Sequence, residues 1–201
     1  MKRTYRLLLV GALLVPTILL SGCLFNIFQT AKMVQSGETA VLIGAGVMNI
    51  TGAPEDPAWV LTPQARMTFG LSDTVNLGLH TGAMVALGTG EPGWLGASGD
   101  LKFSLFSNPD SISLAAGFGG GYGMHFVGWG VFGEIFLDLN VFPLFFAYQP
   151  MVPLTGEGFA LWHDVAVGLA LELSEKARLI IQVDTRNLAL FSYGVAFEIS
   201  F

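Results

Sequence analysis

The sequence predicts an all-β chain: an up-and-down antiparallel barrel of about ten strands that crosses a membrane. Three observations carry this expectation. From Glu38 onward, apolar residues alternate with small or polar ones at period two, the spacing of an extended strand with one oily face. The connections alternate in length. Tight turns at Ser72-Asp73, Asn108-Pro109-Asp110, Asn140 and Ser174-Glu175-Lys176 are interleaved with longer Gly/Pro-rich segments at 50–57, 88–96 and 153–158, and with a Gly/Tyr/His segment at 121–125. Finally, charged residues make up 12% of the 201 and hydrophobic ones 52%. A soluble domain carries about 25% charge, so much of this surface is not built to face water. Beyond the N-terminus there is no run of about 18 apolar residues, which argues against helical spans.

Taken in order, residues 1–22 read as an export signal. Lys2, Arg3 and Arg6 form a basic region, Leu7 to Leu19 an apolar one interrupted by Pro16, and Leu20-Ser21-Gly22-Cys23 closes it. That closing motif resembles the bacterial lipobox, in which cleavage precedes a cysteine that is then acylated. The resemblance implies that Cys23 is the lipidation site, and that Leu24 behind it favours sorting to the outer membrane. Cys23 is the only cysteine, so the chain has no internal disulfide. Residues 23–37 are expected to be an acylated tether. The spacing of Leu24, Ile27, Phe28, Ala31 and Val34 also suits a short amphipathic helix along the membrane surface.

The barrel is expected over 38–201, with strands at 38–49, 58–71, 74–87, 97–106, 111–122, 126–139, 141–152, 159–173, 177–187 and 190–201. In the eighth, Leu161, Val165, Val167, Leu169, Leu171 and Leu173 share one face with His163, against Ala160, Trp162, Asp164, Ala166, Gly168, Ala170 and Glu172. Alternation alone leaves open whether the oily face fills a soluble lipocalin-like cup or meets lipid. The other face is mostly Gly and Ala, too sparse in charge for a soluble surface, which sends the oily face outward. The seventh strand fits worst. It is oily on both faces and contains Pro143 and Pro150, so a bulge is expected there.

The last strand, SYGVAFEISF, sets Tyr193, Val195, Phe197, Ile199 and Phe201 on the oily face. Tyr193, Phe197 and Phe201 resemble the C-terminal signal by which outer-membrane barrels are recognised for assembly. The resemblance to bacterial outer-membrane β-barrels is one of architecture and covers the lipobox and about 38–201. It implies a location in the bacterial outer membrane, with its lipids, lipopolysaccharide and the assembly machinery as partners. An even strand count then returns both chain ends to the periplasmic side. Trp59, Trp94, Trp129 and Trp162 are separated by 35, 35 and 33 residues, each near a longer loop, where an interfacial aromatic girdle belongs.

The net charge of −6, with no basic stripe, excludes nucleic acid as a partner. The lumen is expected to receive Asp100, Glu134, Asp138, Asp164, Glu172, Asp184 and Glu198, with Arg66, Lys102, Arg178 and Arg186 as counter-charges. Seven carboxylates against four cations suit either a salt-bridged interior or a narrow, cation-preferring passage. Gly78, Gly82, Gly117 and Gly119 would leave it space, and Phe132, Phe136 and Trp162 would narrow it.

An enzyme has less to stand on. His80, His125 and His163 lie in no His-x-Ser pairing resembling the lipid A deacylase barrels, and no Gly-x-Ser-x-Gly elbow occurs. His163 and Asp164, as strand neighbours, point to opposite faces. No cofactor or metal is expected, since His and Cys are not clustered, and no helix follows the Gly-rich stretch 117–123. The loop residues Glu55, Asp56, Glu91 and Glu157 are solvated charges, or ligands for divalent cations bridging to lipopolysaccharide. The expectation is therefore a porin-like outer-membrane lipoprotein, either a narrow passage or a structural membrane element. A lipid-modifying enzyme and a soluble lipocalin-like lipoprotein binding an apolar ligand are the alternatives.

Overall fold

A computed structural model describes residues 27–49, 59–88, 92–123, 128–155, 161–186 and 190–201. The expected export signal (1–22), Cys23, His125 and the acidic loop residues lie outside the described residues. The strands are β1 (Thr39–Asn49), β2 (Trp59–Ser72), β3 (Val75–Ala86), β4 (Pro92–Ser107), β5 (Ile112–Tyr122), β6 (Trp129–Leu139), β7 (Leu144–Pro153), β8 (Trp162–Ser174), β9 (Ala177–Arg186) and β10 (Leu190–Ser200). Each pairs antiparallel with its neighbours in sequence, and β1 pairs with β10 to close the barrel. Closure leaves no strand edge unpaired, which only a barrel achieves. At the seam, the Phe201 N–H donates to the Thr39 carbonyl at 2.8 Å, so the final aromatic residue completes the ladder. The ten expected strands lie where alternation put them, although β4 begins earlier.

Alternation left inside and outside undecided; closure decides it. Along β10, Ser192, Gly194, Ala196 and Glu198 point inward, while Tyr193 and Val195 are 58% and 51% exposed on the outside. Register joins such residues into rows, Val167 beside Val183 and Leu169 beside Ile181, which itself sits beside Val195. Ile43, Phe118, Ile135 and Phe146 continue the apolar exterior around the wall. The interior carries the charges, which overturns the lipocalin-like cup with an apolar cavity.

Two local expectations fail. β7 carries no bulge: Pro143 falls in the 140–143 turn, and Pro150 is absorbed inside the strand. Pairing with β6 lapses between Phe132–Met151 and Ile135–Tyr148, yet the register is the same on both sides. The missing proline N–H thus removes ladder bonds without inserting a residue. Register shifts occur instead at Gly70/Ser72, Met84/Val85, Ser104/Phe106 and Glu172/Ser174, towards strand ends.

The second failure concerns the segment before the barrel. Residues 27–36 form no helix and do not lie on the outer surface; they run inside the barrel, where Ile27, Phe28, Gln29, Thr30 and Ala31 are all buried. The turn at Gln35–Glu38, with Gly37 at φ +78°, folds the chain from the lumen into β1. Gly37 donates to the Gly70 carbonyl at 2.9 Å, and Gly70 donates to Glu38 at 3.0 Å. A Cβ at Gly70 would run into the Gln35 carbonyl, so only glycine permits this approach. Gly70→Val is expected to dislodge the turn, which would appear as faster tryptic cleavage after Lys32 in detergent-solubilised barrel. Unchanged cleavage would mean that the contact is dispensable.

Candidate functional site

The lumen is the site, and its wall supplies charge from six strands. Arg66 on β2, Asp100 and Lys102 on β4, Glu134 and Asp138 on β6, Asp164 and Glu172 on β8, Arg178 and Asp184 on β9, and Glu198 on β10 all lie on inward-facing positions. Arg186 pairs through its backbone with Asp164, and its side chain lies outside the described residues.

Two ion pairs belong to the wall itself. The Arg66 guanidinium grips Asp100 with two bonds of 2.7 Å, and Arg66 Nε donates to Thr68. Arg178 Nε donates to Glu198 at 2.7 Å. Gly78, Gly117 and Gly119 do not leave the open space that the sequence suggested; they make room for side chains of the wall. A Cβ at Gly78 would run into the Arg66–Asp100 pair, one at Gly117 into Glu134, and one at Gly119 into Phe132 and Asp100.

Of the remaining charges, Lys102, Glu134, Asp138, Glu172 and Asp184 contact residues 27–36. Asp184 accepts from the Ile27 N–H at 3.4 Å, and Gln182 from the Phe28 N–H at 3.0 Å. Asp138 accepts from the backbone of both Ala31 (2.8 Å) and Lys32 (3.1 Å). Glu134 accepts from the Gln29 amide at 3.0 Å, and Glu172 from Lys32 Nζ at 2.9 Å. In return, Lys102 donates to the carbonyls of Thr30 and Lys32, and Arg178 to the Thr30 hydroxyl. A buried backbone must find partners somewhere, and here the lumen wall replaces the helix that apolar spacing suggested.

Apolar contacts fix the same segment. Ile27 and Ala31 pack with Ala115, Phe136, Ala147 and Ala166, while Phe28 packs with Leu42, Phe145, Ile180 and Ala196. The small inner-wall residues therefore shape a bed for a peptide. Below it, at the turn end, opens a vestibule of about 780 Å³, lined by residues including Lys32, Asp138, Phe142, Glu172 and Arg178.

The aromatic girdle is less uniform than the tryptophan spacing suggests. Trp59 and Trp129 stand exposed outside at the loop end, and Tyr122 meets Trp129 edge-on at 5.5 Å. Trp162 instead packs against lumen residues Phe132 and Met151; the Trp94 side chain lies outside the described residues. His163 sits on the outer face, where its ring nitrogen bonds the Tyr148 hydroxyl at 2.7 Å, and His80 bonds Gln64 inside. Tyr193, Phe197 and Phe201 all point outward. Among the described residues no group of His, Cys, Asp and Glu is arranged to hold a metal ion.

Fold and site together define a closed antiparallel barrel with an apolar exterior and a charged interior occupied by its own N-terminal segment. No protein-family model matches the chain, and no curated protein matches it. It is similar to solved structures of outer-membrane barrels. The N-terminal β-barrel domain of Pseudomonas aeruginosa OprF is 11% identical over 84% of this chain and 100% of that one, with a TM-score of 0.42. The KdgM porin is 8% identical over 81% and 99%, also at 0.42. The outer membrane protease OmpT from Escherichia coli is 9% identical over 86% and 100%, at 0.38. Likeness of this order carries no activity across, and the barrel assignment rests on the chain's own strand pairing.

Proposed function

We propose that the chain is an integral outer-membrane barrel offering a narrow passage for small solutes or ions, closed in this state by residues 27–36. The carrying observation is the division of the wall. An outward band of Val, Leu, Ile and Phe suits lipid, and the interior carries more carboxylates than its two wall ion pairs use, which suits a polar path.

A second reading, a structural membrane element, is favoured by the filled lumen, where Phe28, Phe145 and Met151 are fully buried. A lipid-modifying enzyme has no comparable observation behind it. Planar-bilayer recording on the purified full chain separates the first two. Stepwise conductance supports the passage; silence of the full chain and of Phe28→Asp, a variant that weakens the closure, leaves the structural element.

The finer reading is an acylated lipoprotein. Acyl chains on Cys23 in the N-terminal peptide, measured by mass spectrometry, would support it, and an unmodified cysteine would end it. Orientation follows from loop length, with the short turns on the periplasmic side. Tags at Asp73 and Glu175 should react only after the outer membrane is opened, while a tag within 53–56 should react on intact cells. Surface labelling at Asp73 would invert the topology. Lipopolysaccharide and the assembly machinery, the latter through Tyr193, Phe197 and Phe201, are the partners this reading carries.

A further inference from the structure

Four lumen carboxylates find partners in a segment that is not part of the wall. Arg66 matches Asp100 and Arg178 matches Glu198 with or without residues 27–36. Asp138, Glu134, Glu172 and Asp184 accept from Ala31, Lys32, Gln29 and Ile27, and among the described residues the wall itself offers Glu134 and Asp184 the neutral amides of Gln149 and Gln182. All ten strand pairings, including the seam, are complete without the segment. We infer that residues 27–36 are a removable stopcock, and that Glu134, Asp138 and Asp184 become a row of cation-binding groups along the passage when it withdraws. This rests on reading the barrel as a passage and names its regulation and its preferred solute, a small cation.

Several features make the inserted state releasable. The segment adds no strand to the sheet; wall side chains hold it, and the Gln35–Glu38 turn links it to β1. Phe28 sits at φ +38°, a left-handed conformation that strains a bulky residue and that withdrawal relieves. At the centre, Gln29 Oε1 and Glu134 Oε2 are buried without a hydrogen-bond partner among the described residues. Each unpaired acceptor counts against insertion, because water or a cation would satisfy it outside that state.

Withdrawal changes the charge of the path. Asp138 and Glu134 lose their donors from the segment, and so do Glu172 and Asp184, while Lys102 loses two carbonyl acceptors. Four carboxylates against one freed lysine in a low-dielectric tube favour cations. Asp138 and Glu134 stand about 13 Å apart along β6, a spacing for successive sites rather than one cage.

The chain also contains an actuator. Ile27 bonds Asp184, seven residues up β9 from the turn end, which is about 16 to 19 Å along the barrel axis for a tilted strand. Cys23 precedes Ile27 by four residues, a reach of at most about 14 Å. An acyl anchor on Cys23 in the turn-side leaflet therefore opposes full insertion and pulls the stopcock down.

The test uses the full chain in planar bilayers, with tryptic cleavage after Lys32 as an independent report of where the segment lies. In a Cys23→Ser background, Lys32→Cys and Glu172→Cys joined by a short bismaleimide hold the segment in. Phe28→Asp, placing a carboxylate against the apolar side chains of Leu42, Phe145, Ile180 and Ala196, drives it out without altering a wall residue. We expect the cross-linked chain to lose conductance, and Phe28→Asp to gain sustained conductance and rapid cleavage. Its reversal potential in a KCl gradient should favour potassium, less so when Glu134→Gln is added. A synthetic peptide of residues 24–36 added on the turn side should suppress the current. Equal conductance of wild type, cross-linked chain and Phe28→Asp would overturn the stopcock and leave the passage standing. Silence of a cleaved, folded Phe28→Asp barrel would overturn the passage itself, and chloride preference would remove the carboxylate row.

Discussion

Replacing Arg66 by Met is expected to cost about 3 to 5 kcal/mol of folding free energy, the range for breaking a buried ion pair from one side. Arg66 and Asp100 are both buried and joined by two bonds of 2.7 Å, and Gly78 keeps a Cβ out of the space between them. Removing the guanidinium leaves a carboxylate inside the barrel with its desolvation uncompensated. Replacing both partners, Arg66→Met with Asp100→Leu, should recover most of the loss, because the lost attraction and the lost desolvation then cancel. Folding titrations by urea in lipid vesicles read both values. A single-variant cost below about 1 kcal/mol, the level of an exposed pair, would mean that water reaches the site.

Leu169→Arg carries the second large effect, about 2 to 4 kcal/mol if Leu169 sits near the bilayer midplane. Leu169 lies near the middle of β8, outward and exposed, between Leu144 of β7 and Ile181 of β9. Ala170, its neighbour, points inward and packs against the group containing Phe28 and Phe145. The costs of arginine at the two positions therefore have different origins, hydrocarbon at 169 and crowding at 170. Adding Phe28→Ala should relieve part of the Ala170→Arg cost and none of the Leu169→Arg cost. Equal relief at both would mean the faces are wrongly assigned.

Much of this was legible because strand periodicity is local. Tyr193, Val195, Phe197 and Ile199 share a face whatever they pair with, so ten strands and the members of each face could be placed from spacing, and the sparse charge of the polar face turned it inward. Pro150 was misread because a proline in a strand signals trouble without saying which remedy follows. Here ladder bonds are dropped and the register is kept. Trp162 has two readings in the sequence, an interface aromatic from tryptophan spacing and a lumen residue from strand alternation, and its ring packs on Phe132 and Met151 as alternation implies.

Residues 27–36 mark the boundary between the two kinds of information. Their apolar spacing said only that one side of the segment would be buried, and a membrane surface would have served as well as a lumen. The excess of carboxylates and the run of small inner-wall residues were the available signals of a polar guest, and neither names it. The sequence by itself determined the strands, their oily and polar faces, the alternation of turns and loops, and which charges share the inner wall. Only the tertiary structure decided that the lumen is filled, by whom and through which bonds. The bonds from Ile27 to Asp184 and from Gln29 to Glu134 join residues 157 and 105 positions apart. Such contacts exist only once the barrel has closed, because closure fixes the width of the lumen and sets the charged groups of six strands around one axis.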